Sequence, residues 1–262
     1  MSAGLSLEEH VRGRRREKPL LLMAHAVAGY PSLDANWQML EAMARAGVDL
    51  VEIQLPFSEP IADGPMFVKA NQEAIAKKIH WDDYFAFLGR AAAAFDFAVL
   101  FMGYYNSVFR MGEERFTRRL KEAGASGYII ADLPPEEARS LNALARGRGL
   151  VPVLLMTPTN SAERLAEIAR QASGFVYCVA RKGVTGKQTD LASGVKDFLG
   201  RCRQATPLPL AIGFGIKRPE DVRAVRGLAD IAIVGTACLE MWESAGPKGY
   251  EEFLQGLVKE TR

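Results

Sequence analysis

Eight short apolar runs punctuate this chain, each the length of a strand, and amphipathic stretches separate them. The runs lie at 20–28, 50–55, 98–102, 127–131, 151–156, 175–179, 207–212 and 231–234. Most are apolar at nearly every position instead of alternating. Strands buried on both faces read this way, which points to a parallel sheet covered by helices. Helix-like segments fall between them at 34–46, 81–95, 113–123, 135–146, 161–171, 191–203 and 218–226. A further one follows the eighth run at 248–259, and an N-terminal one at 6–16 precedes the first. This order predicts an α/β fold: a (β/α)8 (TIM) barrel with an extra N-terminal helix. A doubly wound open sheet satisfies the same strand count. Two junctions repeat one design, Ala46-Gly47 before VDLVEIQLP and Ala123-Gly124 before SGYIIADLP. In each, a helix stops at a glycine suited to the left-handed closing residue. No linker or low-complexity tract divides the 262 residues, so a single barrel domain over 1–262 is expected.

The formal net charge is +2, which implies no general affinity for nucleic acid or membrane. The basic cluster Arg12 to Lys18 reads as a solvated helix end. Three widely spaced cysteines, Cys178, Cys202 and Cys238, show no metal-ligand pattern and suit a reducing compartment. No run approaches the ~18 to 20 apolar residues of a membrane span. The first residues contain no apolar signal core. A cytoplasmic protein is expected.

The segment VEIQLPFSEPIADGP, residues 51–65, carries the chemistry. Glu52 lies inside an apolar strand, and Asp63 follows in a loop broken by proline and glycine. A carboxylate so placed must be paired, desolvated or working, because burying an unpartnered charge is costly. Desolvation raises a carboxyl pKa toward neutrality, which suits general acid–base catalysis. A strand-end Glu held by a basic neighbour is the plainer alternative.

In a (β/α)8 barrel, function gathers at the C-terminal ends of the strands. Strand 6 leads into Arg181-Lys182-Gly183-Val184-Thr185-Gly186-Lys187, a polar segment of the kind that closes over substrate. Strand 7 ends in Gly213-Phe214-Gly215-Ile216 and strand 8 in Gly235-Thr236-Ala237. Glycines there let backbone N–H groups approach an anion, and a helix opening at Gly235 would direct its positive end to the same place. Phosphate at the ends of strands 7 and 8 is a recurrent barrel design. Tight turns without a ligand would also account for the glycines.

Taken together, these residues resemble the tryptophan synthase α subunit family. The family's hallmark, E-x-G-x-PFSDP-x-ADGP, corresponds to EIQLPFSEPIADGP at 52–65. AGYP (28–31), YYN (104–106), ADLP (131–134), GVTG (183–186), GFGI (213–216) and VGT (234–236) follow in the family's order. The resemblance implies retro-aldol cleavage of indole-3-glycerol phosphate to indole and glyceraldehyde 3-phosphate. It implies Glu52 as general acid–base and Asp63 as the carboxylate that holds the ring N–H. It implies a phosphate site at Gly186, Gly215, Gly235 and Thr236, and a closing loop with Gly183 and Thr185. His25, Tyr104, Tyr177 and Phe214 fall at positions near the substrate, with core packing a competing role for the two tyrosines. No metal or organic cofactor is expected. The implied partner is a pyridoxal-phosphate β subunit in an α2β2 complex. A free-standing indole-glycerol-phosphate lyase and a catalytically weak regulatory subunit are the alternatives.

Four positions depart from the family's pattern. Gln54 replaces Gly beside Glu52, Glu59 replaces Asp in PFSDP, Ala180 replaces Ser ahead of GVTG, and His25 stands where an aromatic ring lines the pocket. The expectation is that lyase chemistry is kept while coupling to a partner changes.

Overall fold

The computed structural model describes residues 6–180, 188–213 and 215–262, without the side chains of 188–193. Eight strands pair in parallel in chain order, and the last closes on the first. They are β1 (Leu21–Val27), β2 (Leu50–Gln54), β3 (Ala98–Gly103), β4 (Gly127–Ile130), β5 (Val151–Met156), β6 (Val176–Val179), β7 (Leu210–Gly213) and β8 (Ile231–Val234). The alternation of apolar runs and helices therefore yields a closed (β/α)8 barrel, not an open sheet.

The helices form the outer ring. α1 (Leu7–Glu17) precedes the barrel, and α2 (Leu33–Ala46) follows β1. α3 (Pro65–Ala76) and α4 (Trp81–Ala94) follow β2; α5 (Tyr105–Met111) and α6 (Glu113–Glu122) follow β3. Then come α7 (Arg139–Gly147), α8 (Ala162–Gln171), α9 (Gln188–Ala205), α10 (Pro219–Val225) and α11 (Thr236–Lys259). α3 and α5 were not expected from the sequence. α11 starts at Thr236 instead of 248, and non-helical Gly246 (φ 63°) with Pro247 kinks it. The pattern at 248–259 is the second limb of that kinked helix. Gly47 (φ 86°) and Gly124 (φ 75°) do take the left-handed conformation after α2 and α6.

Two apolar layers hold the barrel. Inward residues such as Leu21, Met23, Leu50, Leu100, Ile129 and Val153 fill its interior. The outward set, including Leu22, Val51, Ile53 and Phe101, packs under the helices. Burial on both faces explains why the runs do not alternate. Leu7 and Val11 of α1 join the interior layer and cover the end where the strands begin. Ser6 and Glu9 form a reciprocal cap that starts this helix. Glu8 accepts a hydrogen bond from Gly174 N–H at 3.1 Å. At the same end the Lys18 ammonium meets the buried Asp49 carboxylate at 2.8 Å. The N-terminal end of the barrel is thereby closed, and the C-terminal end carries the open cavity. Among the described residues, no helix is long and apolar enough to cross a membrane.

Candidate active site

The cavity at the C-terminal mouth has a volume of about 570 Å³. That lies within the usual range for small-molecule sites, roughly 300–1,000 Å³. Its apolar wall is Met102, Ile129, Leu155 and Ile233. His25, Glu52 and Asp63 line one side; Gly213, Gly215, Gly235 and Thr236 line another.

Strand pairing brings the first group together. β1 and β2 run in register with His25 opposite Glu52, so both side chains leave the same face of neighbouring strands. Glu52 is 1% exposed. His25 Nδ1 lies 3.1 Å from its Oε1. From across the barrel, Tyr177 donates its hydroxyl to the same oxygen at 3.3 Å. Gly213 makes room for that reach: a Cβ there would stand 3.2 Å from the Tyr177 ring. Among the described residues, His25 is the one basic partner of Glu52, charged when protonated, and no Lys or Arg pairs with it. Asp49, three residues earlier, has the lysine that Glu52 lacks.

Asp63 reaches the cavity on the loop between β2 and α3. The turn is tied by Asp63 N–H to Pro60 O at 2.9 Å and by Asn71 Oδ1, which accepts from Phe57 N–H at 2.9 Å. Gln54 Nε2 donates to Asp63 Oδ2 at 2.8 Å, and Asn71 Nδ2 approaches the same oxygen at 3.5 Å. Burial raises the Asp63 pKa; the Gln54 hydrogen bond, the charge of His25 and the Tyr104 hydroxyl oppose the rise without cancelling it. For His25, burial works against the imidazolium, but the charge and hydrogen bond of Glu52, with Asp63 and Gln54 behind them, raise the pKa overall.

The remaining expected residues fall in three groups. Gly215, Gly235 and Thr236 meet at the cavity, with Gly215 at φ 85° and Gly235 capping α11. Tyr104 is fully buried and stands behind the Asp63 loop. Its hydroxyl oxygen accepts from Ala62 N–H at 3.2 Å, and its ring stacks on Phe57 at 5.0 Å. Burial and the negative charge of Asp63 push the Tyr104 pKa well up. Gly183, Thr185, Gly186 and Phe214 lie outside the described residues.

Sequence reasoning missed two contributors on α3. Asn71 braces the site loop, and Phe67 packs on the His25 ring at 4.4 Å between centroids. Gly235 leaves space for Phe67, because a Cβ would stand 3.2 Å from that ring. The available signal was Gly64-Pro65, since proline is favoured at the first helical position. Gln54 does not crowd Glu52; it turns its carboxamide to Asp63. Among the described residues, no group of three His, Cys, Asp or Glu side chains is arranged to hold a metal ion.

A closed (β/α)8 barrel with a carboxylate-lined cavity at its C-terminal mouth has the architecture of the barrel enzymes. Comparison narrows the class. The tryptophan synthase alpha chain family profile matches residues 11–259. A tryptophan synthase alpha chain of Syntrophotalea carbinolica is 45% identical over 251 residues, 96% of this chain and 99% of that protein. One from Desulforapulum autotrophicum is 45% identical over 252 residues, covering 96% of this chain and all of that one (100%). A solved Mycobacterium tuberculosis tryptophan synthase chain superposes with a TM-score of 0.90 at 28% identity, covering 99% of both chains. Tryptophan synthase subunit alpha from Legionella pneumophila also gives 0.90 at 28% identity, over 98% of this chain and 99% of that one. The chain belongs to the tryptophan synthase alpha chain family and is accordingly a lyase of tryptophan biosynthesis.

Proposed function

We propose that this barrel cleaves indole-3-glycerol phosphate to indole and glyceraldehyde 3-phosphate, with Glu52 and Asp63 as its catalytic pair. The observation that carries the reading is two carboxylates in unlike settings on one cavity wall. Glu52 is sealed in the barrel, whereas Asp63 sits half-buried on a braced loop. The reaction breaks the bond between the indole ring and its side chain. The ring carbon gains a proton, and the neighbouring hydroxyl loses one as it becomes the aldehyde. One proton arrives and one leaves, so a single carboxyl can serve both transfers and finish in its starting state. Glu52 takes this role. Positive charge develops at the ring nitrogen in the transition state. Asp63 accepts the ring N–H and offsets that charge from a partly desolvated position, where electrostatic stabilisation is strongest.

The apolar wall of Met102, Ile129, Leu155 and Ile233 suits the indole ring. The substrate phosphate is assigned to Gly215, Gly235 and Thr236 at the cavity; Gly186, outside the described residues, is assigned to it from the family resemblance alone. The N-terminus of α11 supplies free N–H groups there. A β subunit in an α2β2 complex is the proposed partner, in the cytoplasm. Ile61 on the Asp63 loop and Phe109 on α5 are 75% and 67% exposed at the mouth end, where a docked protein would cover them. The purified chain is to be incubated with indole-3-glycerol phosphate, alone and with a β subunit. Indole and glyceraldehyde 3-phosphate are expected in equal amounts. Failure to form either product in both conditions would refute the lyase reading.

A further inference from the structure

Glu52 and Asp63 share a pattern that proton transfer alone does not require. Each has one oxygen tethered twice. Glu52 Oε1 faces His25 Nδ1 at 3.1 Å and accepts from Tyr177 at 3.3 Å. Asp63 Oδ2 accepts from Gln54 at 2.8 Å and faces Asn71 at 3.5 Å. Glu52 Oε2 is buried without a partner, as are His25 Nε2 and Gln54 Oε1. The terminal torsion of a glutamate is broad and nearly two-fold, so an untethered carboxylate presents either oxygen. Two donors on Oε1 remove that freedom.

We propose that His25 is a positioning residue for Glu52: it holds Oε1 through Nδ1 and leaves Oε2 as the oxygen that exchanges the proton. The inference rests on the lyase reading above. Ionised Asp63 can only accept, so the Gln54 amide nitrogen faces it, and the Gln54 carbonyl oxygen is left without a partner. Neutral imidazole has one N–H, which Nδ1 can give to Glu52. The imidazolium can donate from both nitrogens, and Glu52, Asp63 and Gln54 all favour it. Among the described residues, the titratable groups around His25 are Glu52 on β2, Asp63 on the following loop, Tyr177 on β6 and Cys238 on α11 behind its backbone. Phe67 closes the remaining face and supplies no charge. His25 on Glu52 and Gln54 on Asp63 are both positions at which this chain departs from the family pattern.

The test has two arms. The chain contains three histidines, so ¹⁵N-histidine NMR resolves each titration in the intact protein. His25 is expected to titrate above an ordinary histidine in the wild type and to fall in Glu52→Gln. A His25 titration unmoved by Glu52→Gln overturns the pairing, and this arm needs neither substrate nor turnover. The second arm measures indole formation against pH. His25→Phe is expected to lower kcat about 10- to 100-fold, the scale of a lost hydrogen bond to a charged group, with little change in KM. Its pH profile should also change, because the imidazole that titrates beside the reacting atoms is gone. His25→Asn, whose Nδ2 can replace the Nδ1–H donor, should recover most of kcat. A His25→Phe enzyme within about twofold of wild type and with an unmoved pH profile overturns the proposal. So does equal loss in the Asn and Phe variants. Absence of indole from the wild type would refute the lyase reading instead, while the NMR arm still decides the pairing.

Discussion

At the scale of single residues, the contrast between Asp49 and Glu52 separates support from chemistry. Both are buried acids of one strand region, Asp49 just before β2 and Glu52 within it. Asp49 is neutralised by Lys18 at 2.8 Å and takes the Leu22 N–H at 2.8 Å. Glu52 has an imidazole and a phenol instead. Asp63 is a third case, raised by burial yet exposed to the cavity. Its raised pKa means the folded chain binds that proton more tightly than the unfolded chain does. Stability therefore falls as pH rises from the ordinary aspartate value through the raised one, and the ionised group opposes folding at neutral pH. Asp63→Asn removes that opposition and keeps an acceptor for Gln54. The expected outcome at pH 7 is a Tm equal to or above wild type, together with a large loss of kcat at nearly constant KM. A fall limited to substrate affinity would make Asp63 a binding residue only. That Glu52 would be a buried acid was legible in the sequence, because charge inside an apolar run is anomalous; Asp63, in a loop broken by proline and glycine, stood out only through the motif around it. The tether between Glu52 and His25 was not, because it arises from the register of two strands, which spacing along one strand does not encode.

Elements show the same division between the two ends of the barrel. All eight strands were legible because burial on both faces leaves continuous apolar runs. α3 was not, because its polar segment follows a loop rich in proline and glycine, and its buried Asn71 breaks the apolar stripe. α11 was read only past its kink, since Gly246-Pro247 is a stop signal that this helix crosses with one non-helical residue. The N-terminal end, sealed by α1 and by Lys18, serves stability. Lys18→Met would leave Asp49 buried and uncompensated, and breaking a buried ion pair in this way costs about 3–5 kcal/mol. Chemical denaturation should show that loss, with kcat unchanged below the unfolding transition. A matching fall in kcat would contradict the separation of the two ends. At the other end, the first turn of α11 and the glycine turns after β7 and β8 line the cavity and are the proposed anion cradle. Crystals soaked in glycerol phosphate should show phosphate against Gly215, Gly235 and Thr236; density elsewhere with this cradle empty would refute the assignment.

For the whole molecule, the barrel supplies a sealed base, a reactive mouth and an exposed apolar rim. Glu59 lies exposed on the rim loop, and Ala180 lines the cavity at the end of β6. Ala180 cannot donate the hydroxyl hydrogen bond that a Ser could, and Glu59 is one methylene longer than Asp, so it must fold back to reach the same place or point outward. A missing hydroxyl hydrogen bond is worth about 1 kcal/mol. Coupling free energies between sites are typically ~1–3 kcal/mol, so changes of this size can reset activation by a partner. The double substitution Glu59→Asp with Ala180→Ser should alter the stimulation of indole formation by a cognate β subunit. Unchanged stimulation would make both departures neutral for coupling.

The central claim, that the barrel works through the carboxyl of Glu52, is tested most directly by single-turnover indole formation in Glu52→Gln beside the wild type. Gln keeps the size of the side chain and cannot cycle a proton. A rate lower by roughly 10²- to 10⁴-fold is expected, with circular dichroism and substrate affinity close to wild type. A variant that folds, binds substrate and keeps more than about half of the wild-type rate would contradict it, because no general acid–base group can be removed at so small a cost.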